Sequence, residues 1–272
     1  MAFLQNLKAG WNLGLYSCRF AFEHKALLLL PFLSVLSMIG AVVLLFLAAE
    51  NVKTDIVWLM IIGGYFICIF ISIFFNVVLV KMVNDYLEQR KASLLEAFNV
   101  ATNRIPAILV WTLVTGSVGI LIRLIEALEE KLHIPSILSA ILDVGWGAVT
   151  YFIIPIICFQ GIASPKGLYE QSKYLINKVW GDGVVKIIGA SLFVFLFLLP
   201  LGLIAASVSH LPPFPYQNIV YWVLGILAAL MIAFTNVMAG TLQTMFYKYA
   251  QSNTLPADFD KSLIEHVAMV KQ

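Results

Sequence analysis

Residues 74–80 read FFNVVLV and residues 234–240 read FTNVMAG, so Asn76 and Asn236 each stand inside a long apolar run, 160 residues apart. A carboxamide in such a run has two uses: it bonds a neighbouring helix and holds a membrane protein together, or it faces a solute. Bonds of the first kind average about 0.6 kcal/mol and reach roughly 1–2 kcal/mol. Helix packing is therefore the expectation for Asn76 and Asn236. On the alternative, a solute pathway, they are joined by Gln160 in a third apolar run.

Charge beside the apolar runs is sparse. Arg123 and Glu126 are spaced i,i+3, so they can pair on one helix. Asp143 begins the next run and falls at similar depth. The expectation is an outer-rim ion pair among Arg123, Glu126 and Asp143; the sharper alternative is an entry or gating site. Glu129 and Glu130 continue the same outer extension.

Other chemistry is missing from the sequence. His24, His133, His210 and His266 form no metal spacing with another His, Cys or carboxylate. There is no HExxH and no GxSxG, and the GDG of 181–183 is a turn rather than a phosphate loop. No pair of carboxylates sits at membrane mid-depth for acid–base work. Cys18, Cys68 and Cys158 are small packing residues. The expectation is no enzyme, no metal and no cofactor.

The elements that carry these residues follow from composition. Of 272 residues, 61% are hydrophobic and 12% charged, against about 25% charged in a soluble domain. A net charge of +2 without a basic block excludes nucleic acid as a partner. A membrane helix needs about 20 apolar residues. Six runs free of Asp, Glu, Lys and Arg qualify: 26–49, 56–80, 105–122, 144–163, 187–210 and 219–247. Residues 137–143 are left as a partly embedded outer segment, and 248–272 as a tail. The first run follows Arg19, Glu23 and Lys25 and exceeds a signal-peptide core, so it is expected to be retained. Pro155 and Pro200, mid-run in spans four and five, mark candidate breaks.

Fourteen of the 17 Lys and Arg residues fall before span one, between spans two and three, between four and five, and in the tail. By the positive-inside rule both termini are cytoplasmic. Trp58, Trp111, Trp146, Tyr221 and Trp222 lie near span ends, as an interfacial belt requires. The proline-rich HLPPFPY of 210–216 is a stiff outer turn.

The two asparagines also belong to a repeat. Phe74 aligns with Phe234 and Val77 with Val237, and ASLLEAF (92–98) aligns with NTLPADF (253–259) after a one-residue adjustment. Span four exits similarly through YFIIPIICFQGIASPKGL (151–168). The spacing of roughly 80 residues divides one all-α membrane domain, 1–272, into three quasi-repeated helical hairpins. Each follows a cytoplasmic amphipathic helix. The first helix, 2–22, has a stripe of Leu4, Leu7, Trp11, Leu15, Cys18 and Phe22. The second, within 84–103, uses Leu87, Leu94, Leu95 and Phe98, and the third, 166–180, uses Leu168, Leu175, Ile176, Val179 and Trp180. Such helices lie in the headgroup layer or pack on their own spans.

GWNLGLYSCRF followed by LLLLPFLS, then YFICIFISIFFNVVLV, GILIRLIEALEEKL, GWGAVTYFIIPII and EQSKYLINKVWGDGVVKIIG together resemble a six-helix bacterial integral membrane family of unknown function. The resemblance implies a bacterial cytoplasmic (inner) membrane and this topology, and brings no activity with it. The leading expectation is a non-enzymatic scaffold or assembly partner, in contact with membrane lipids and with further copies of itself or another membrane protein. The alternative is a channel or permease for a small solute.

Overall fold

The computed structural model describes residues 14–49, 54–180, 199–200, 202–204, 206–207 and 217–252, and every regular element among them is helical. Helix α1 covers 14–23, and a 3₁₀ turn, Lys25–Leu28, leads into α2, Leu29–Ala49. Then come α3 (Thr54–Leu87), α4 (Leu94–Asn103), α5 (Ile105–Lys131), α6 (Ile137–Val149), α7 (Ile153–Gln160), α8 (Pro165–Trp180) and α9 (Gln217–Ser252). Five segments are long and apolar enough to cross a membrane: Lys25–Ala49, Ile56–Leu87, Ile105–Lys131, Ile137–Gln160 and Asn218–Ser252. They correspond to expected spans one to four and six. Most of the expected fifth span, the 210–216 turn, residues 2–13 and the 253–272 tail lie outside the described residues.

Local chemistry sets the boundaries. Helix α3 ends in a left-handed Gln89 (φ 54°), and the Arg90 N–H reaches back to the Asp85 carbonyl at 2.8 Å, satisfying one of the carbonyls a helix end leaves open. Ser93 caps α4 by accepting the Glu96 N–H at 3.4 Å. Pro106 sits in the first turn of α5, where a missing N–H is harmless. Gly161 ends α7 at φ 66°, and a Cβ there would run into the Arg104 guanidinium, so only glycine fits this position.

The buried apolar core collects at one end of the bundle. It takes in Val77–Val80 and Val83 of α3, Ile153, Ile156 and Ile157 of α7, and Val237, Met238 and Met245 of α9. Because Lys81, Arg104 and Lys248 lie there, it is termed the basic end; the opposite end, near Arg123, is the far end.

Several expectations are corrected. Span two does not stop at Val80, because α3 runs on to Leu87 and keeps Lys81 inside it. The charge is tolerated because Asp85, one helical turn later, takes the ammonium at 2.7 Å. Span four does not begin at Val144. It starts at Ile137, placing Asp143 inside the helix, and it is interrupted between Val149 and Ile153. The early start has a cause: the Glu129 carboxylate of α5 accepts the Leu138 N–H at 2.8 Å and the Ser139 N–H at 3.3 Å, capping α6 from a neighbouring helix. Span six continues past Tyr247 to Ser252.

The amphipathic stripes also need revision. In α1 the expected Leu15 and Phe22 are exposed, while Ser17, Phe20 and Ala21 are buried, because small residues allow the closer helix approach. In α4 Leu94 and Leu95 point outward and Ala97 and Ala101 pack inward; Phe98 is half-buried against Phe74 and Phe75. Helix α8 buries Leu168 and Leu175 as expected; the side chains of Val179 and Trp180 lie outside the described set. Both α4 and α8 pack on the bundle while leaving Leu95 and Tyr174 exposed.

Candidate functional site

Helices α3 and α9 lie side by side and run the same way. Glu88 meets Lys248 at 2.6 Å, a separation of 160 residues. That is the offset of the sequence repeat, so equivalent residues stand at equal depth. At Gly240 the helices nearly touch: a Cβ there would lie 2.8 Å from Leu79 Cδ2. About one turn before that contact, Asn76 and Asn236 both face a gap in the seam.

Each asparagine borders two cavities. One, about 270 Å³, lies among α2, α3 and α9 and is walled by Leu30, Met38, Phe75 and Leu79, with Ser34 and Ser72 as its other polar residues. The second, about 520 Å³, lies among α3, α9 and the α6–α7 break and is lined by Thr150, Tyr151, Thr235 and Gln243. Both are clefts open at the surface; Asn76, half-buried, and the exposed Ile232 and Asn236 line both, and this shared border is termed the window. The Asn76 amide donates to the Ser72 carbonyl of its own helix at 2.9 Å. Among the described residues neither carboxamide hydrogen-bonds to a neighbouring helix.

The break in span four closes onto the same place. Pro155 has no N–H to give the Tyr151 carbonyl, and the Gln243 amide of α9 donates to that carbonyl instead. The Ser172 hydroxyl of α8 donates to the Val149 carbonyl at 2.6 Å. The proline and the break thus free two carbonyls, Tyr151 and Val149, that side chains from two other helices satisfy. Such a discontinuity is tolerated at membrane depth only where protein or a cavity surrounds it.

The remaining candidates stand apart from the window. Gln160 donates to the Tyr247 hydroxyl at 3.0 Å, with Phe159 stacked on the same ring. Arg123 pairs with Glu126 at 2.5 Å on the exposed surface of α5. Asp143 is close enough to act on Arg123 electrostatically, but the hydrogen bond goes to Glu126.

Sequence reasoning missed the charged brace at the basic end. Lys81 and Asp85, with side chains 13% and 3% exposed, pair at 2.7 Å, and Lys81 also reaches Glu96 of α4 at 2.7 Å. That contact pulls the Glu96 carboxyl below its usual range. The hydrogen bond from Lys248 does the same to Glu88. Arg104 Nε donates to the Cys158 carbonyl at 3.3 Å, tying α5 to α7. The i,i+4 spacing of Lys81 and Asp85 was the available signal. Among the described residues no group of three or more His, Cys, Asp or Glu could hold a metal ion.

The model of a family of unknown function, DUF6159, matches residues 52–255. The match covers most of the chain, and the chain belongs to this family. No curated protein and no solved structure matches.

Proposed function

We propose, from the premise of membership in this family, that the chain is a non-enzymatic protein of the bacterial cytoplasmic membrane that passes a small solute through the Asn76–Asn236 window. One observation carries the reading. Two equivalent asparagines are held at one depth beside two cavities, and neither bonds across to another helix among the described residues. Polar groups are costly in hydrocarbon unless something satisfies them. The nearby break in span four strengthens the case, since interrupted helices build transport sites. The scaffold expected from sequence, whose warrant was that the few polar residues in the spans suit helix packing, is the second reading.

Connectivity supports six spans in three hairpins. Helix α7 ends at the basic end, where Gln160 meets Tyr247. Helix α9 finishes at that end and therefore starts at the far one. The expected span at 187–210 is consistent with these two positions. The concentration of Lys and Arg in the loops at the basic end supports a cytoplasmic location for it and for both termini.

The test is solute flux into proteoliposomes. Asn76→Leu and Asn236→Leu are expected to abolish flux while leaving assembly and thermal melting close to wild type. Altered assembly with no flux in the wild type would return the asparagines to packing. The assembly-partner reading keeps one observation in its favour. A Cβ on Gly40, Gly63 or Gly225 would meet nothing within 4 Å, and such small-residue surfaces let another helix approach. Crosslinking in intact membranes that yields a discrete higher-mass species through these positions would support it.

A further inference from the structure

We propose that the Asn76–Asn236 window binds an uncharged amphiphile drawn from the bilayer, with a hydroxyl- or amide-bearing head on the two carboxamides. Its chain lies in the cavity among α2, α3 and α9. The proposal rests on the solute-facing reading of the asparagines and names the class of that solute.

The two cavities differ as the two ends of an amphiphile do. The smaller is walled mainly by Leu30, Met38, Phe75 and Leu79, and its rim residues Phe32, Val35 and Ile232 are exposed, so it opens sideways toward lipid. Its 270 Å³ lies near the lower end of small-molecule pockets, about 300–1,000 Å³, room for a short chain rather than a whole phospholipid. The larger cavity adds Thr150, Thr235 and Gln243 to the asparagines, where the smaller adds only Ser34 and Ser72.

Hydrogen-bond accounting fixes the head. The Thr235 hydroxyl already donates to the Ile232 carbonyl at 2.9 Å, and the Thr150 hydroxyl to Trp146 at 2.7 Å. Each keeps acceptor capacity. The Asn76 nitrogen gives one N–H to the Ser72 carbonyl, leaving its second N–H to donate and its oxygen to accept. Asn236 makes no hydrogen bond within the described chain, so its amide supplies both donors and an acceptor. A hydroxyl or amide, which donates and accepts, satisfies this set. Among the described residues no Asp, Glu, Lys, Arg or His lines either cavity. A carboxylate, phosphate or ammonium would meet no counter-ion among these residues, and an unpaired charge at membrane depth is costly.

The test uses the full chain in nanodiscs with a diazirine-bearing analogue of 1-decanol, and maps the photolabelled peptides. Labelling is expected to saturate within residues 29–38, 72–79 and 229–243. Decanol should compete at least about tenfold better than decanoate or decylammonium of equal chain length. Asn236→Leu should cut labelling by about tenfold, with partial recovery in Asn236→Gln. The wild-type competition decides the matter even if a variant folds poorly. Non-saturable labelling, or equal competition by the charged analogues, would overturn the proposal. Asparagine-dependent flux of glycerol without a saturable decanol site would also overturn it, while leaving the transport reading intact. A saturable, charge-discriminating site without solute flux would support it and sink transport alone.

Discussion

At the basic end, α3, α7 and α9 bury Val77–Val83, Ile153–Cys158 and most of 237–250 against one another. At the far end the first halves of α3 and α9, like nearly all of α2, lie open, with Leu44 68% and Trp222 75% exposed. The polar chemistry divides the same way. The basic end holds Lys81–Asp85–Glu96 and Glu88–Lys248 in a half-buried brace, whereas the far end shows Arg123–Glu126 on the surface. A lipid-facing helix surface gains nothing from packing against its own chain, since lipid is as apolar as leucine. Specific contacts then concentrate where the chain meets charge and leaves hydrocarbon. The window sits at the border between the regimes: rigid on the side of Gly240, and open toward the far end.

The sharpest way to break the comparison is to unpair the brace. Lys81→Met leaves Asp85 buried without its partner, and about 3–5 kcal/mol of stability should be lost. The double variant Lys81→Met/Asp85→Leu should recover most of it. Denaturation in mixed micelles checks both; equal loss in the double variant would show that the pair does more than neutralise itself. Next in size is the seam. Gly240→Val drives a side chain into Leu79 and should cost about 1–3 kcal/mol, with accompanying loss of solute flux.

A smaller effect comes from acid. The Glu88 carboxyl is held below its ordinary range by Lys248, and Glu96 by Lys81. A depressed carboxyl adds stability that is present above the unfolded value, about 4.3 for glutamate, and is lost as pH falls through the lower folded value. Melting temperature should therefore fall on acidification below that value, and fall less in Glu88→Gln. A wild-type acid response identical to the variant's would remove Glu88 from the brace. The smallest effect belongs to the far end. Arg123→Gln should leave melting and flux unchanged, since exposed pairs contribute little; loss of flux would make the rim an entry site.

The sequence carried the helical class and the equal depth of Asn76 and Asn236, because apolar run length and a shared offset are properties of the chain alone. It could not place the limits of spans two and four. Lys81 ends the charge-free run of span two, yet the residue that keeps Lys81 inside the helix is Asp85, visible four positions on. The start of span four depends on Glu129, which acts across space on α6. Pro155 announced a break, but the groups that make it tolerable, Gln243 and Ser172, come from α9 and α8. Of the α1 stripe's described members Leu15 and Phe22 are exposed, and the buried face is that of Ser17, Phe20 and Ala21.

The most direct test of the central claim, that α3 and α9 run parallel with a 160-residue register and set the two asparagines together, is paired-cysteine crosslinking in intact vesicles. In a background with Cys18, Cys68 and Cys158 replaced by alanine, Asn76→Cys/Asn236→Cys and Glu88→Cys/Lys248→Cys should each close under a short bifunctional maleimide. Asn76→Cys/Ile226→Cys, about 15 Å out of register along α9, should not. Crosslinking of the 76–226 pair, or of neither in-register pair, would contradict the account.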